Sequence, residues 1–220
     1  MDVILFGATG MVGQGVLREC LLDPEVGRVL TVGRSGSGMA DPKLREIVHA
    51  DLFDLSAIEN ELQGFDACIV CMGVSAAGMS EADYARMTHD LTLSVATTVV
   101  RVNPDMVFLY VSGAGTDSTE KGRTMWARVK GRTENGLQRL PFKGVYLFRP
   151  GIIQPLHGSR SKTKAYRFFY ALSAPLLPLV RRLMPRSITT TEELGRKMLD
   201  VAKHGAPQPV LEMKDITAGG

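Results

Sequence analysis

Three glycines, Gly7, Gly10 and Gly13, are spaced G-x-x-G-x-x-G inside the run VILFGATGMVG at residues 3–13. An apolar stretch that breaks into glycines in this way is suited to phosphate chemistry. A tight turn needs a residue free of Cβ constraints, and a pyrophosphate is received by bare backbone N–H groups at a helix N-terminus. The third glycine lets the helix lie close against the strand before it. The apolar spacing Val12, Val16, Leu17, Cys20 and Leu21 marks an amphipathic helix directly after the turn, which is the context the pattern requires. The expected ligand is a dinucleotide, held by Gly7, Thr9, Gly10, Met11, Val12 and Gly13.

The end of the second strand selects the cofactor. An acid about 20 residues past the glycines bonds the ribose 2′-OH, whereas a basic residue there accommodates a 2′-phosphate. The chain reads Thr31-Val32-Gly33-Arg34-Ser35 at that point, with no acid near. Arg34 can stack on adenine and grip a phosphate as a fork, and Ser35 can donate a hydrogen bond. NADP is therefore expected over NAD, the plainer alternative being a loop arginine facing solvent. Asp51-Leu52 follows the third strand, where a carboxylate could accept from the adenine amino group or could start the next helix. Met72-Gly73 closes the fourth strand, where the backbone must pass near the cofactor ribose.

These residues need a scaffold that alternates strands with helices. Strands are predicted at Val3–Phe6, Val29–Val32, Glu46–Val48, Ala67–Cys71, Val107–Val111 and Gly144–Phe148, with helices at Met11–Leu22, Ser56–Leu62, Glu81–Val102 and Met125–Leu140. That alternation predicts an α/β fold with a doubly wound parallel sheet. Met87, Leu91, Val95, Val99 and Val102 form one stripe on the third helix, which reads as sheet-packing core. Asn103-Pro104 ends that helix. A last helix from Thr191 to about Lys203 and a closing strand at Val210–Met213 follow, the helix carrying a hydroxyl and acids at its start.

A chain of 220 residues with 45% hydrophobic and 22% charged content suits a single globular domain. The first strand begins at once, leaving no room for a cleavable leader, and no apolar stretch reaches the roughly 18 residues of a membrane span. A soluble, cytoplasmic protein is expected. Cys20, Cys68 and Cys71 are a sparse set, as in a reducing compartment. Cys68 and Cys71 spell C-x-x-C, but residues three apart on a strand face opposite sides and no second Cys/His pair is available. A structural pair is expected, with no metal.

At this point the residues carry a resemblance. The glycine motif, Asp51-Leu52, Ser112 after the fifth strand, the Lys130 helix and Arg149-Pro150-Gly151 after the sixth resemble the short-chain dehydrogenase/reductase superfamily. Within it the chain is similar to the atypical branch that includes NmrA-like and Tat-interacting oxidoreductase-like proteins. The likeness covers about residues 1–155, with the tail matching loosely. It implies a catalytic Ser, Tyr and Lys, the last two spaced Tyr-x-x-x-Lys. Ser112 and Lys130 match, but the tyrosine position holds Trp126, and an indole N–H is a donor without a proton to give up near neutral pH. The resemblance also implies that Pro150, Gly151, Ile152 and Ile153 pass the nicotinamide carboxamide.

Three readings follow. The protein could be an NADP-dependent reductase of a small carbonyl or quinone that recruits Tyr84, Thr124 or water as acid. It could be an NADP sensor acting through protein partners, or a residual scaffold that keeps Lys130 for ribose binding. Residues 155–190 read as a small substrate or partner lobe. No acid falls between Asn135 and Thr191, while ten basic residues from Arg139 to Arg186 do. Tyr166, Phe168, Phe169 and Tyr170 sit among them, so the segment could lid a pocket, meet a partner, pair with its copy in a homodimer, or touch a membrane surface. No nucleic-acid-reading motif accompanies the charge.

Overall fold

Val3, Ile4, Leu5 and Phe6 offer no polar face, and all four are fully buried. A strand of this kind is stable only with layers on both sides. In the computed structural model, which describes residues 1–159 and 188–218, β1 (Asp2–Phe6) is accordingly central. It pairs in parallel with β2 (Arg28–Gly33) on one side and β4 (Ala67–Val70) on the other, in registers Val3↔Val29 and Val3↔Ala67. With β3 (Leu44–Val48), β5 (Val107–Val111), β6 (Gly144–Arg149) and β9 (Val210–Glu212), the seven strands run in the order β3-β2-β1-β4-β5-β6-β9. The order reverses between β1 and β4, and such a switch point opens a crevice beyond the strands' carboxyl ends.

One face is covered by α1 (Met11–Leu22) and α5 (Thr191–His204), the other by a 3-10 helix (Ser56–Leu62), α3 (Leu91–Val102) and α4 (Met125–Gln138). The first two helices cross closely. A Cβ on Gly15 would stand 2.6 Å from the Thr191 Cβ, and buried Glu19 of α1 accepts from the Nε of Arg196 at 3.0 Å. α5 begins where expected, but its capping hydroxyl is that of Thr190 rather than Thr191. Thr190 Oγ1 accepts from the Glu193 N–H and the Glu193 carboxylate from the Thr190 N–H, a reciprocal capping box.

The predicted helix over 81–102 is interrupted. It divides into α2 (Glu81–Ala85), a π-turn at Arg86–Asp90 and α3, with the Leu91 N–H donating to the Arg86 carbonyl. Met87, Leu91, Val95 and Val99 are spaced by four, more than the 3.6 residues of an α-turn, and one wide turn absorbs part of that drift. Leu91, Val95 and Val99 are buried as the stripe predicts, whereas Met87 is only partly so.

Two short strands were absent from the sequence reading. β7 (Ile152–Gln154) and β8 (Ile188–Thr190) form a separate parallel pair, with Ile152 opposite Ile188. The final α6 (Met213–Ile216) was also missed. The expected lobe at 155–190 falls largely on residues 160–187, outside the described residues, together with its aromatic and basic cluster. Cys68 faces the α3 side and Cys71 packs on the α1 side, as alternation along β4 requires. Burial pushes the Cys20 thiol up to about 12 and Cys68 well above its ordinary value, so both stay protonated at neutral pH.

Candidate functional site

The β1–α1 turn is built by backbone approaching backbone. Gly7 sits at φ +86°, where L side chains are strained, and a Cβ there would come 2.7 Å from the Cys71 carbonyl carbon. A Cβ on Gly13 would overlap the Gly7 carbonyl oxygen. Gly10 differs from both. Its φ of −80° and ψ of 163° suit any L residue, and the nearest atom to an added Cβ is the Gly7 oxygen at 3.4 Å. Folding therefore demands glycine at positions 7 and 13, while the bare backbone of Gly10 is open toward the crevice. A cradle that a side chain would fill fits the pyrophosphate of a dinucleotide.

Two clefts meet over that turn. One, about 520 Å3, is lined by Gly7, Thr9, Gly10, Arg34, Ser35, Asp51, Leu52, Met72 and Gly73 among others. The second, about 790 Å3, is lined by Gly10, Met11, Val12, Met72, Gly73, Ser112, Lys130, Pro150, Gly151 and Ile153, with Tyr84 and Trp126. They share Gly10, Cys71, Met72, Gly73 and Val74. The structure thus brings together nearly all of the sequence-predicted site residues. Two stand outside. Gly13 lies beneath the turn and lines neither cleft, and Ile152 is 41% exposed because alternation along β7 turns Ile153 inward instead.

Arg34 is exposed on the first cleft and has no ion-pair partner among the described residues. Glu46, on the neighbouring strand, accepts from the Ser37 N–H at 2.7 Å and from the Thr31 hydroxyl at 3.0 Å. Desolvation works to raise its pKa, but those bonds outweigh it and hold the carboxyl below its usual value. It shapes the loop after β2 and does not line the cleft. Asp51 accepts from the Phe53 N–H at 2.9 Å, so it fastens its own turn at the cleft rim. The next helix is approached by Asp54, which accepts from the Ser56 N–H.

The second cleft rests on β5, β6 and α4. Ser112 N–H donates to the Phe148 carbonyl at 2.7 Å and Ala114 N–H to that of Pro150 at 2.9 Å, carrying the β5–β6 pairing past the strand ends. Thr116 Oγ1 donates to the Gly113 carbonyl at 2.7 Å. Having one hydrogen, it must receive the Ser112 hydroxyl proton across their 3.1 Å contact. Lys130 Nζ donates to the Ser112 carbonyl at 3.1 Å and lies 5.5 Å from the centre of the Tyr110 ring. Burial pushes its amine down to about 8, against the opposing attraction of Glu134.

Glu134 is itself taken. Both its oxygens receive Arg149, whose guanidinium also reaches Glu212 at 3.0 Å and the Ser118 hydroxyl at 2.6 Å. Arg149, counted in sequence with a basic field, is instead a half-buried tie between α4, β6 and the end of β9. Trp126 stands one helical turn before Lys130, on the same face, with its ring beside Gly115. Of the two stand-in acids, Tyr84 is 2% exposed and lines the cleft. Thr124 is exposed at the start of α4 and lines neither cleft.

The NAD dependent epimerase/dehydratase family model matches residues 3–124, from β1 to the loop before α4. The chain belongs to that family. Among curated relatives, the protein fmp52 of Emericella nidulans is 29% identical over 177 residues, spanning 77% of this chain and 74% of that protein. FMP52 of Saccharomyces cerevisiae is 30% identical over 181 residues, with 80% and 74% covered. A short-chain dehydrogenase/reductase family oxidoreductase from Burkholderia thailandensis superposes with a TM-score of 0.71 at 16% identity, over 100% of this chain and 93% of that one. The Bordetella bronchiseptica enzyme WbmF, solved with NAD+, gives 0.70 at 15% over 96% and 72%. These bear out the superfamily resemblance and the fold. The two fungal relatives are named mitochondrial, which overturns the cytoplasmic expectation. Early onset of the first strand and the lack of a long apolar run do not set a compartment.

Two outcomes are expected from this geometry. Gly10→Val should keep the melting temperature within a few degrees yet abolish dinucleotide binding by calorimetry, and unchanged affinity in the folded variant would refute the phosphate role. Lys130 has a folded pKa of about 8, below its ordinary 10.5, so folding with this lysine protonated is penalised below pH 8. That penalty shrinks as pH rises from 8 to 10.5 and vanishes above. Lys130→Met should therefore be more stable near neutrality, by at most about 3 kcal/mol. Denaturant titrations across pH 7 to 10.5 should show the gain shrinking.

Proposed function

We propose that the chain binds NADP(H) and acts as an oxidoreductase on a small carbonyl or quinone, with turnover held low by the side chain at position 126. Arg34 carries the cofactor reading. It opens onto the first cleft without a carboxylate partner among the described residues, and Glu46 beside it is engaged by the loop. The family's name and the neighbours' titles speak of NAD. Recognition of a free 2′-OH, however, uses an acid at the position that Arg34 occupies.

A bound nicotinamide dinucleotide would supply the hydride. The chain's own groups would bind and orient. Backbone N–H groups at the start of α1, those of Met11 and Val12, suit the phosphates, whereas the Gly10 N–H is spent on the Gly7 carbonyl at 3.0 Å. Lys130 Nζ spends one hydrogen on the Ser112 carbonyl and keeps others for ribose hydroxyls. Ser112 Oγ, its own proton turned toward Thr116, presents lone pairs to the cleft and donates to a substrate oxygen only by releasing Thr116. The indole of Trp126 can stack over a substrate but has no proton to transfer near neutral pH. Tyr84 is the phenol lining the same cleft among the described residues. The indole also favours a second reading, a regulator that responds to NADP(H) and works through protein partners.

Calorimetry should give tighter binding of NADPH than of NADH, and Arg34→Ala should remove most of the difference. Equal affinities in the unmodified protein would end the NADP reading. Trp126→Tyr should raise NADPH-dependent reduction of a quinone and carbonyl panel about tenfold or more, since general acid help is typically worth roughly 10²–10⁴-fold. Robust turnover in the unmodified protein, with no gain in that variant and a loss in Tyr84→Phe, would assign the acid to Tyr84 instead.

A further inference from the structure

The first cleft carries a second guanidinium that no sequence pattern marks. Arg86 opens the π-turn after α2, is exposed, and lines the cleft together with Arg34. Its Cζ lies 5.2 Å from the centre of the Phe53 ring, which lines the same cleft. That contact steadies a long side chain and leaves its N–H groups unspent. The acids around it are engaged elsewhere. Glu81 pairs with Arg128 at 2.6 Å, Asp83 accepts from the Ser80 hydroxyl, and Asp90 meets His89 at 2.8 Å. Asp51, on the cleft itself, takes the Phe53 N–H. Two guanidinium groups therefore share a cleft with a single carboxylate, and neither has an ion-pair partner among the described residues. Like charges placed together repel unless an anion joins them.

We propose that Arg86 is the second of two arginines that hold the 2′-phosphate of a phosphorylated adenosine, acting with Arg34 from a different element of the fold. This rests on the NADP reading above and deepens it. One arginine would distinguish phosphate from hydroxyl by charge alone. Two forks from separate elements fix the position of the dianion as well.

The test uses two ligands that differ only in the group at issue, 2′,5′-ADP and 5′-AMP, titrated calorimetrically into the full chain. The unmodified protein should prefer 2′,5′-ADP, and Arg86→Ala should weaken that ligand about tenfold or more while leaving 5′-AMP within about twofold. Arg86→Gln, which keeps a polar side chain but removes the charge, should behave likewise, and guards against a folding defect in the alanine variant. Unchanged binding of both ligands, with the unmodified preference intact, would overturn the role of Arg86 and spare the NADP reading. Equal weakening of both would also overturn it, assigning Arg86 to the adenine. No preference for 2′,5′-ADP in the unmodified protein would overturn the NADP reading, and this proposal with it.

Discussion

The contact on which the molecule depends is backbone against backbone at the ends of β1 and β4. Gly7 presses on the Cys71–Met72 peptide, and Gly13 presses back on Gly7. Close approach at these two points sets where α1 starts and how its first N–H groups face. It also brings the β4 end beside the turn, and the shared wall of the two clefts runs through Cys71, Met72 and Gly73. No side-chain bond could substitute, because any side chain at position 7 or 13 would drive the layers apart. The packing of α5 on α1 through Gly15 and Glu19 supports the same helix from outside.

The second cleft is fixed in another way, by charge. Arg149 and Glu134 are a buried pair, with side-chain exposures of 11% and 1%, and Glu212 and Ser118 complete the arrangement. A pair of this kind adds little net stability over apolar packing, but loss of either partner leaves an uncompensated buried charge. Its consequence here is positional. It ties α4 to β6 four residues beyond Lys130, and it occupies Glu134 so that Lys130 keeps no carboxylate of its own. The lowered amine has a separate cause, burial, which the attraction of Glu134 only partly offsets.

Much of this was legible in the sequence because the signals were long or local. The apolar strand runs, the glycine turn and the α5 start follow from periodicity or short-range chemistry, while Ser112 and Lys130 were marked by the family resemblance. What escaped depends on distant partners. The π-turn changes helix phase by a single residue, below what an apolar stripe can register. β7 and β8 are three residues each and pair across 33 intervening positions. Arg149 reads as one more basic residue until Glu134 and Glu212 are brought beside it. Arg86 falls in a stretch that predicts plain helix, and only the position of Phe53 gives it a direction.

The two clefts therefore carry unequal constraints. In the first, Arg34 and Arg86 are exposed on the crevice without an ion-pair partner among the described residues, so their charges serve little in the fold itself. In the second, Lys130 is kept with its amine held near 8, a state that opposes folding at neutral pH. A scaffold free to discard that lysine would gain stability with an apolar residue in its place. Retention of Lys130 beside an indole at position 126 thus separates two functions that a Tyr-x-x-x-Lys pair combines. Holding a polyhydroxyl ligand needs the ammonium alone, whereas moving a proton needs an acidic neighbour. On the proposed reading Lys130 would serve the first, and the second would fall to another group on the cleft such as Tyr84.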